Sequence, residues 1–113
     1  VVDAILGAMA LGDIGKHFPS ENSKWKDANS RLFLKQTCKL MQEKGYAIEN
    51  IDATIILQEP IIKPYILQMR KNMASIISAD LDQVSVKATT TDGLGFIGKG
   101  KGIAATSLVL LKK

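Results

Sequence analysis

Three consecutive threonines and an aspartate, Thr89, Thr90, Thr91 and Asp92, stand between a run of alternating apolar residues and a glycine-rich stretch. This order predicts a strand that ends in three hydroxyls, free backbone N–H groups and a carboxylate. Such groups suit a diphosphate and its divalent cation. Polar strand ends are also common without any ligand, so the pattern alone leaves a purely structural role open.

The glycine-rich stretch itself, residues 93–102, holds five of the nine glycines of the chain. Its second half alternates glycine with Lys99 and Lys101, which could wrap a phosphate or form a flexible basic turn. It is not a P-loop, because the glycine spacing differs and a strand is predicted to follow rather than a helix.

Two further segments carry polar groups at places where elements are predicted to end. Asp13 follows Gly12 and could either cap a turn or accept hydrogen bonds from sugar hydroxyls. Residues 57–63 leave a predicted strand and enter a predicted helix, whose N-terminus attracts anions. His17 has no second ligand at metal-binding spacing, which indicates an ordinary loop histidine.

Hydrophobic periodicity predicts the elements that position these residues. We expect helices over 1–12, 30–44 and 64–77, strands over 46–58, 83–88 and 103–111, and a long loop over 13–29. This order indicates an α+β fold, in which a mixed β-sheet is covered by helices. Three strands are few for an independent sheet, so we expect another segment or other subunits to complete it.

Length and composition restrict the classes of function that this chain could have. The 113 residues, with a net charge of +4 and 46% hydrophobic residues, predict a single domain over 1–113 with its own core. Apolar runs fall far short of the roughly 20 residues of a membrane span, so no membrane partner is expected. The charge comes from 13 lysines and only two arginines among few aromatics, which favours a phosphorylated small molecule over nucleic acid.

Cysteine and histidine are scarce, with one of each in the chain. They cannot build a four-ligand zinc site by themselves. Cys38 falls on the apolar stripe of the second predicted helix, which predicts a small core residue. The chain also opens inside an apolar helical pattern with no N-cap residue, and we therefore expect its amino-terminal portion to be missing.

Motifs spread along the whole chain resemble those of the 2-C-methyl-D-erythritol 2,4-cyclodiphosphate synthase family. They are ALGDIGKHFP (10–19), SR (30–31), GY (45–46), IDATII (51–56), QMR (68–70), VKATTT (86–91), LGF (94–96) and GIA (102–104). The resemblance implies a lyase of the non-mevalonate isoprenoid pathway. It would cyclise 4-diphosphocytidyl-2-C-methyl-D-erythritol 2-phosphate to the 2,4-cyclodiphosphate and release CMP. It also implies a homotrimer with active sites between subunits, located in the bacterial cytoplasm, or in a plastid if the source is eukaryotic.

The resemblance also implies a role for individual residues. Asp13, with the backbone of Ile14 and Gly15, would bind the ribose hydroxyls, and Thr90 would stabilise the transition state. The other implied substrate contacts form a closing loop (Phe18, Pro19, Ser20, Glu21, Asn22), a cytosine pocket (Leu57, Gln58, Glu59, Pro60, Ile61, Ile62, Lys63), a diphosphate site (Thr89, Thr90, Thr91, Asp92) and a cavity near the trimer axis (Phe96, Lys99). That last cavity is where an isoprenoid diphosphate can bind in the family.

The family's cofactors are a zinc ion and a magnesium or manganese ion, and Asp92 would contact the second of these. Position 92 is Asp where Glu is common, Lys99 stands where many members have Arg, and Ile61 and Lys63 depart from the usual lysine placement. The family's zinc ligands, an Asp-x-His and a His just before the aspartate that matches Asp3, are not in these residues. We expect the 113-residue form to lack activity and the intact protein to have it. The alternative is a metal-free trimeric paralogue that binds a small molecule without catalysis.

Overall fold

The computed structural model describes residues 1–113 and shows a three-stranded mixed sheet with helices. This confirms the predicted α+β class. None of the helices is both long enough and apolar enough to cross a membrane. The helices are α1 (Val2–Ala8), α2 (Ile14–His17), α3 (Ser30–Glu43), α4 (Ile66–Ile77) and α5 (Gly95–Gly98), and the strands are β1 (Ala47–Ile56), β2 (Val84–Thr89) and β3 (Ala104–Lys112).

The sheet has the order β2-β1-β3, with β1 in the centre. β1 pairs parallel with β2 and antiparallel with β3, and its last residue, Ile56, lies opposite both Thr89 and Ala104. The parallel pair requires a crossover, which α4 supplies. As a result, the chain segments after β1, after β2 and before β3 all meet at one edge of the sheet.

The core lies between one face of the sheet and helices α1, α3 and α4. Side chains alternate between the two faces of a strand, and the inward set of β1 and β2 is short and apolar. The cluster is formed by Ile5, Leu34, Cys38, Met41, Ile48, Ile51, Ala53, Ala74, Ile77, Val84 and Val86. Cys38 is buried there, as predicted, and burial raises the pKa of its thiol to about 11. A thiol with so high a pKa is a poor nucleophile at neutral pH.

The opposite face of the sheet carries apolar side chains that no helix of this chain covers. Leu108 and Leu110 of β3 are 77% and 61% exposed. Leu108 lies opposite Asp52 of β1, whose carboxylate pairs with Lys87 of β2 at 3.0 Å. This outer face therefore combines an ion pair with two leucines in solvent.

Residues 13–29 are not the uninterrupted loop that the sequence predicts. Asp13 caps the one-turn helix α2, and the rings of Phe18, Trp25 and Phe33 pack together, with centroids 4.8 Å apart for Phe18 and Trp25 and 5.1 Å for Phe18 and Phe33. A side-chain cap and an aromatic cluster give no periodic apolar pattern, which is why periodicity did not reveal them. The predicted α3 is confirmed, with Asn29 as its cap.

The glycine-rich stretch also has more structure than a flexible turn, because it contains α5. The backbone of α5 packs directly on the turn after β2. A Cβ atom placed on Gly98 would lie 2.2 Å from the carbonyl carbon of Gly93 and 2.7 Å from its Cα. No real Cβ atom approaches backbone so closely, so this packing requires glycine at position 98.

The substitution Gly98→Ala tests that requirement. We expect it to lower the free energy of unfolding by about 1–3 kcal/mol, because the new methyl group forces α5 away from the turn. The matched control is Gly7→Ala in α1, where a Cβ meets nothing within 4 Å. That change should raise the free energy of unfolding by about 0.5–1 kcal/mol through helix propensity. Urea denaturation measures both, and equal effects of the two alanines would contradict the packing argument.

Candidate functional site

One cavity joins two of the predicted substrate-binding segments. It has a volume of about 130 Å³ and lies at the edge of the sheet where β1 and β2 end. The backbone N–H of Leu57 donates to the carbonyl of Thr89 at 3.0 Å, which continues the parallel pairing one residue beyond β1. The cavity is lined by Leu57, Gln58, Pro60, Ile61, Ile62, Lys63, Ala88, Thr89 and Thr90. The structure therefore brings the 57–63 loop against the first two threonines.

The 89–93 loop is held by its own hydroxyl groups. The backbone N–H of Asp92 donates to Thr90 Oγ1 at 3.1 Å, and the Thr90 hydroxyl donates in turn to Asp92 Oδ1 at 3.4 Å. Thr91 Oγ1 donates to the carbonyl of Leu94 at 2.7 Å. The long 3.4 Å contact is weak, so the Thr90 hydroxyl can exchange Asp92 for a phosphate oxygen at little cost.

Two consecutive residues of this loop have left-handed backbone conformations, with φ of +54° at Asp92 and +78° at Gly93. Asp and Gly are among the residues that tolerate this region best. The bend turns the loop away from the β-strand direction immediately after the threonines. A second brace comes from the neighbouring loop, since the backbone N–H of Gly93 donates to Gln58 Oε1 at 3.2 Å. No sequence signal identifies this contact, because 35 residues separate its partners.

The aspartate that the sequence places in a substrate-binding role serves as a helix cap. Asp13 Oδ1 accepts a hydrogen bond from the backbone N–H of Lys16 at 3.0 Å. The backbone N–H of Ile14 donates to Asp3 Oδ1 at 2.7 Å, so it is already engaged. The capping interpretation of Asp13 is thus confirmed. The cap uses one carboxylate oxygen of an exposed side chain, and the ribose contact stays a prediction.

A second, wider cavity of about 640 Å³ lies beside α2. It is lined by Ile14, Gly15, Phe18, Ser20, Trp25, Lys26, Asp27, Ala28 and Phe33. Four of these were predicted as substrate contacts, whereas the other five, Trp25, Lys26, Asp27, Ala28 and Phe33, were not. The one tryptophan of the chain, standing in a polar segment, was the signal available for them. This cavity shares no lining residue with the one at the sheet edge.

The remaining predicted contacts line neither cavity. They are Asp13, Pro19, Glu21, Asn22, Glu59, Thr91, Asp92, Phe96 and Lys99. Phe96 is 62% exposed, and its ring lies so close to Gly102 that a Cβ there would be 2.7 Å from it. Lys99 is exposed at the end of α5. Both lie on the segment that joins the 89–93 loop to β3.

A third cavity of about 570 Å³ lies between α1, α4 and the sheet. Eight of its eleven lining residues are hydrophobic. Met69 and Met73 of α4 line it while also packing against the core, which agrees with their predicted packing role. The few polar groups on its wall make it a poor match for a phosphorylated ligand.

The side chains that could bind a metal ion do not cluster in this structure. No three His, Cys, Asp or Glu side chains lie close enough together to hold a metal ion. The residues present therefore do not fit a zinc site. Asp92 offers a single exposed carboxylate beside threonine hydroxyls. That set suits a magnesium-type cation whose other ligands are substrate phosphates and water.

Known proteins resemble this chain along its whole length. A curated 2-C-methyl-D-erythritol 2,4-cyclodiphosphate synthase from Alkaliphilus oremlandii is 55% identical over 113 residues, which are 100% of this chain and 72% of that protein. The protein of the same name from Syntrophomonas wolfei is 50% identical with the same coverage. This chain thus spans about 72% of the length of these relatives.

Solved structures agree. The bifunctional IspDF of Campylobacter jejuni matches with a TM-score of 0.92 and 44% identity, over 97% of this chain and 30% of that one. The CDP complex of Plasmodium falciparum IspF matches with a TM-score of 0.86 and 37% identity, over 97% of this chain and 65% of that one. The model of the YgbB family covers residues 1–112. Sequence, fold and family model coincide over nearly every residue, and the chain therefore belongs to the YgbB family.

Proposed function

We propose that this protein is a cyclodiphosphate synthase of the non-mevalonate isoprenoid pathway. It cyclises 4-diphosphocytidyl-2-C-methyl-D-erythritol 2-phosphate to 2-C-methyl-D-erythritol 2,4-cyclodiphosphate and releases CMP. The observation that carries the proposal is the cavity where the 57–63 loop meets Thr89 and Thr90. A cytidine diphosphate needs a base pocket beside a phosphate site, and the adjacency of the 57–63 loop to the threonines at this edge of the sheet supports that arrangement. CDP bound to the P. falciparum relative supports the same ligand class.

The reaction needs positioning more than acid–base catalysis. An oxygen of the substrate's 2-phosphate attacks the β-phosphorus of its own diphosphocytidyl arm. A new P–O bond forms there as the bond from the β-phosphorus to the bridging oxygen breaks, and CMP leaves with that oxygen and the electron pair. The nucleophile is already anionic, so no strong general base is required. The protein must fold the substrate into attack geometry and stabilise charge on the phosphates.

Different segments of the chain would bind the base, bind the diphosphate and stabilise the transition state. The 57–63 loop would offer backbone groups to the cytosine edge, and Thr89 and Thr90, which line the same cavity, would bind the diphosphate. Thr90 is the residue we assign to transition-state stabilisation, because its weak contact with Asp92 leaves the hydroxyl free to rotate. Asp92 would hold the magnesium or manganese ion, which neutralises phosphate charge when bound.

The active site is proposed to form between subunits of a homotrimer. Ile14, Gly15, Phe18 and Ser20, predicted contacts of the ribose and methylerythritol part, line the cavity beside α2. Most of the predicted contacts of the base, together with Thr89 and Thr90, line the cavity at the sheet edge. The two cavities have no residue in common within one chain. Apposition of two subunits would unite them. The exposed Leu108 and Leu110 supply an apolar surface for such self-association.

The first prediction concerns activity. We expect the intact protein, incubated with the diphosphocytidyl substrate and Mg²⁺, to release CMP, as measured by chromatography. The 113 residues alone should release none, because they bring no three zinc-binding side chains together. Turnover by the 113-residue form would contradict the zinc requirement. An intact protein that binds CDP without releasing CMP from the substrate would instead support the non-catalytic paralogue.

The second prediction concerns Thr90. In the intact protein, Thr90→Ala should lower kcat about 100-fold, the effect of losing one donor to transition-state charge, while KM changes little. Thr90→Ser retains the hydroxyl and should keep most of kcat. Steady-state kinetics of CMP release distinguish the two. If the alanine variant raised KM and left kcat unchanged, Thr90 would be a substrate-binding residue only.

The third prediction concerns assembly. Leu108→Glu places a charge on the outer face of the sheet and should convert trimers to monomers in sedimentation analysis. Leu67→Glu is the matched control, because Leu67 is also an exposed leucine but lies on α4. That variant should remain trimeric. An assembly that survives Leu108→Glu would place the subunit interface elsewhere.

A further inference from the structure

Gln58 occupies a place in the fold from which it can reach two loops. Its backbone lies two residues beyond the end of β1, directly after Leu57, which is hydrogen-bonded to Thr89. Its half-buried side chain lines the sheet-edge cavity together with Ile61 and Thr90. The backbone of Gln58 is thus part of the 57–63 loop, and its side chain lines the part of the cavity wall that also contains Thr90 of the 89–93 loop.

The side chain makes one contact across that wall. Gln58 Oε1 accepts the hydrogen bond from the backbone N–H of Gly93 at 3.2 Å. The other side-chain hydrogen bonds of this turn are internal to it, from Asp92 N–H to Thr90 and from Thr91 to Leu94. Gln58 is therefore the one side chain from outside that fixes the turn by a hydrogen bond.

The bonded group directly follows a non-glycine residue with positive φ. Asp92 has φ of +54°, a region in which non-glycine residues pay a conformational cost, whereas Gly93 adopts it freely. The Gln58 hydrogen bond and the packing of α5 on Gly93 both oppose relaxation of the turn at Asp92. Relaxation would move the hydroxyl of Thr90 and the carboxylate of Asp92 relative to the base loop.

We propose that Gln58 is a positioning residue: its hydrogen bond to Gly93 fixes the position of the 89–93 loop, which binds the diphosphate, relative to the 57–63 loop, which binds cytosine. The inference rests on the proposed function, since it assumes that the two loops bind the base and the phosphates of one cytidine nucleotide. A neutral amide oxygen suits the task, because a carboxylate at the same place would repel the phosphates. The role predicts that Gln58 contributes to phosphate recognition without touching the phosphate.

The test compares two ligands that differ in the diphosphate alone. Calorimetry gives the affinities of cytidine and CDP for the wild type and for Gln58→Met, which preserves side-chain length and removes the acceptor. We expect CDP affinity to fall about fivefold, the usual worth of one hydrogen bond, and cytidine affinity to change less than twofold. Hydrogen exchange measured by NMR should show the Gly93 amide exchanging faster in the variant.

The control is Gln68→Met, the same chemical change on α4, where the glutamine side chain bonds only to Asn72. It should leave both affinities and the Gly93 exchange rate unaltered. If Gln58→Met does not fold, Gln58→Asn gives the same comparison, since its amide falls one methylene short of Gly93.

The outcomes separate the inference from the proposed function. A wild-type protein that binds neither cytidine nor CDP overturns the proposed function, and the inference with it. A wild type that binds CDP, with equal losses of cytidine and CDP in the Gln58 variant, overturns the positioning role alone. Unchanged exchange at Gly93 would likewise show that the hydrogen bond does not hold the turn.

Discussion

The parallel pairing of β1 with β2 is the constraint on which the candidate site depends. Parallel strands end at the same edge of a sheet, so the loops that follow Ile56 and Thr89 emerge side by side. The antiparallel partner β3 begins at that edge and brings the glycine-rich stretch to it. A ligand that must be held at both a base and a diphosphate can then be bound by short loops on a rigid scaffold. This is the location where open sheets with parallel strands commonly bind ligands.

The sequence predicted the scaffold well because the scaffold is periodic. Alternating Ile51, Ala53 and Ile55 mark the core face of β1, and Leu34, Cys38 and Met41 mark the buried stripe of α3. The predicted sheet, crossover helix and buried cysteine follow from those patterns. What escaped prediction was aperiodic: the one-turn helix α2, the aromatic packing around Trp25 and the hydrogen bond between Gln58 and Gly93. Each depends on partners that come together only once the chain has folded.

The candidate site was predicted from motifs and not from hydrophobic periodicity. Individually, the threonine run, Asp13 and the 57–63 segment each admitted an ordinary structural role, and for Asp13 that role is the one that the structure shows. Their combination identified the family, and the structure then placed two of the three segments around one cavity. Asp13 and α2 lie beside another cavity of the same chain. A single chain therefore presents two cavities with no lining residue in common, and the proposed function would require another subunit to unite them.

The glycines near the sheet edge have a physical role that composition alone could not assign. Five glycines in ten residues are typical of a flexible segment. In the structure, however, Gly98 packs against the Gly93 backbone, and the Phe96 ring lies against Gly102. Glycine is needed at position 98 because the Gly93 backbone leaves no room for a Cβ atom, whereas at Gly102 the close atoms belong to the exposed ring of Phe96. The backbone of α5 packs on Gly93, and Gln58 accepts a hydrogen bond from the same residue, so both contacts fall on a turn that has positive φ at Asp92. A turn fixed before the ligand arrives loses less entropy on binding, so its donors and acceptors can favour a diphosphate more strongly.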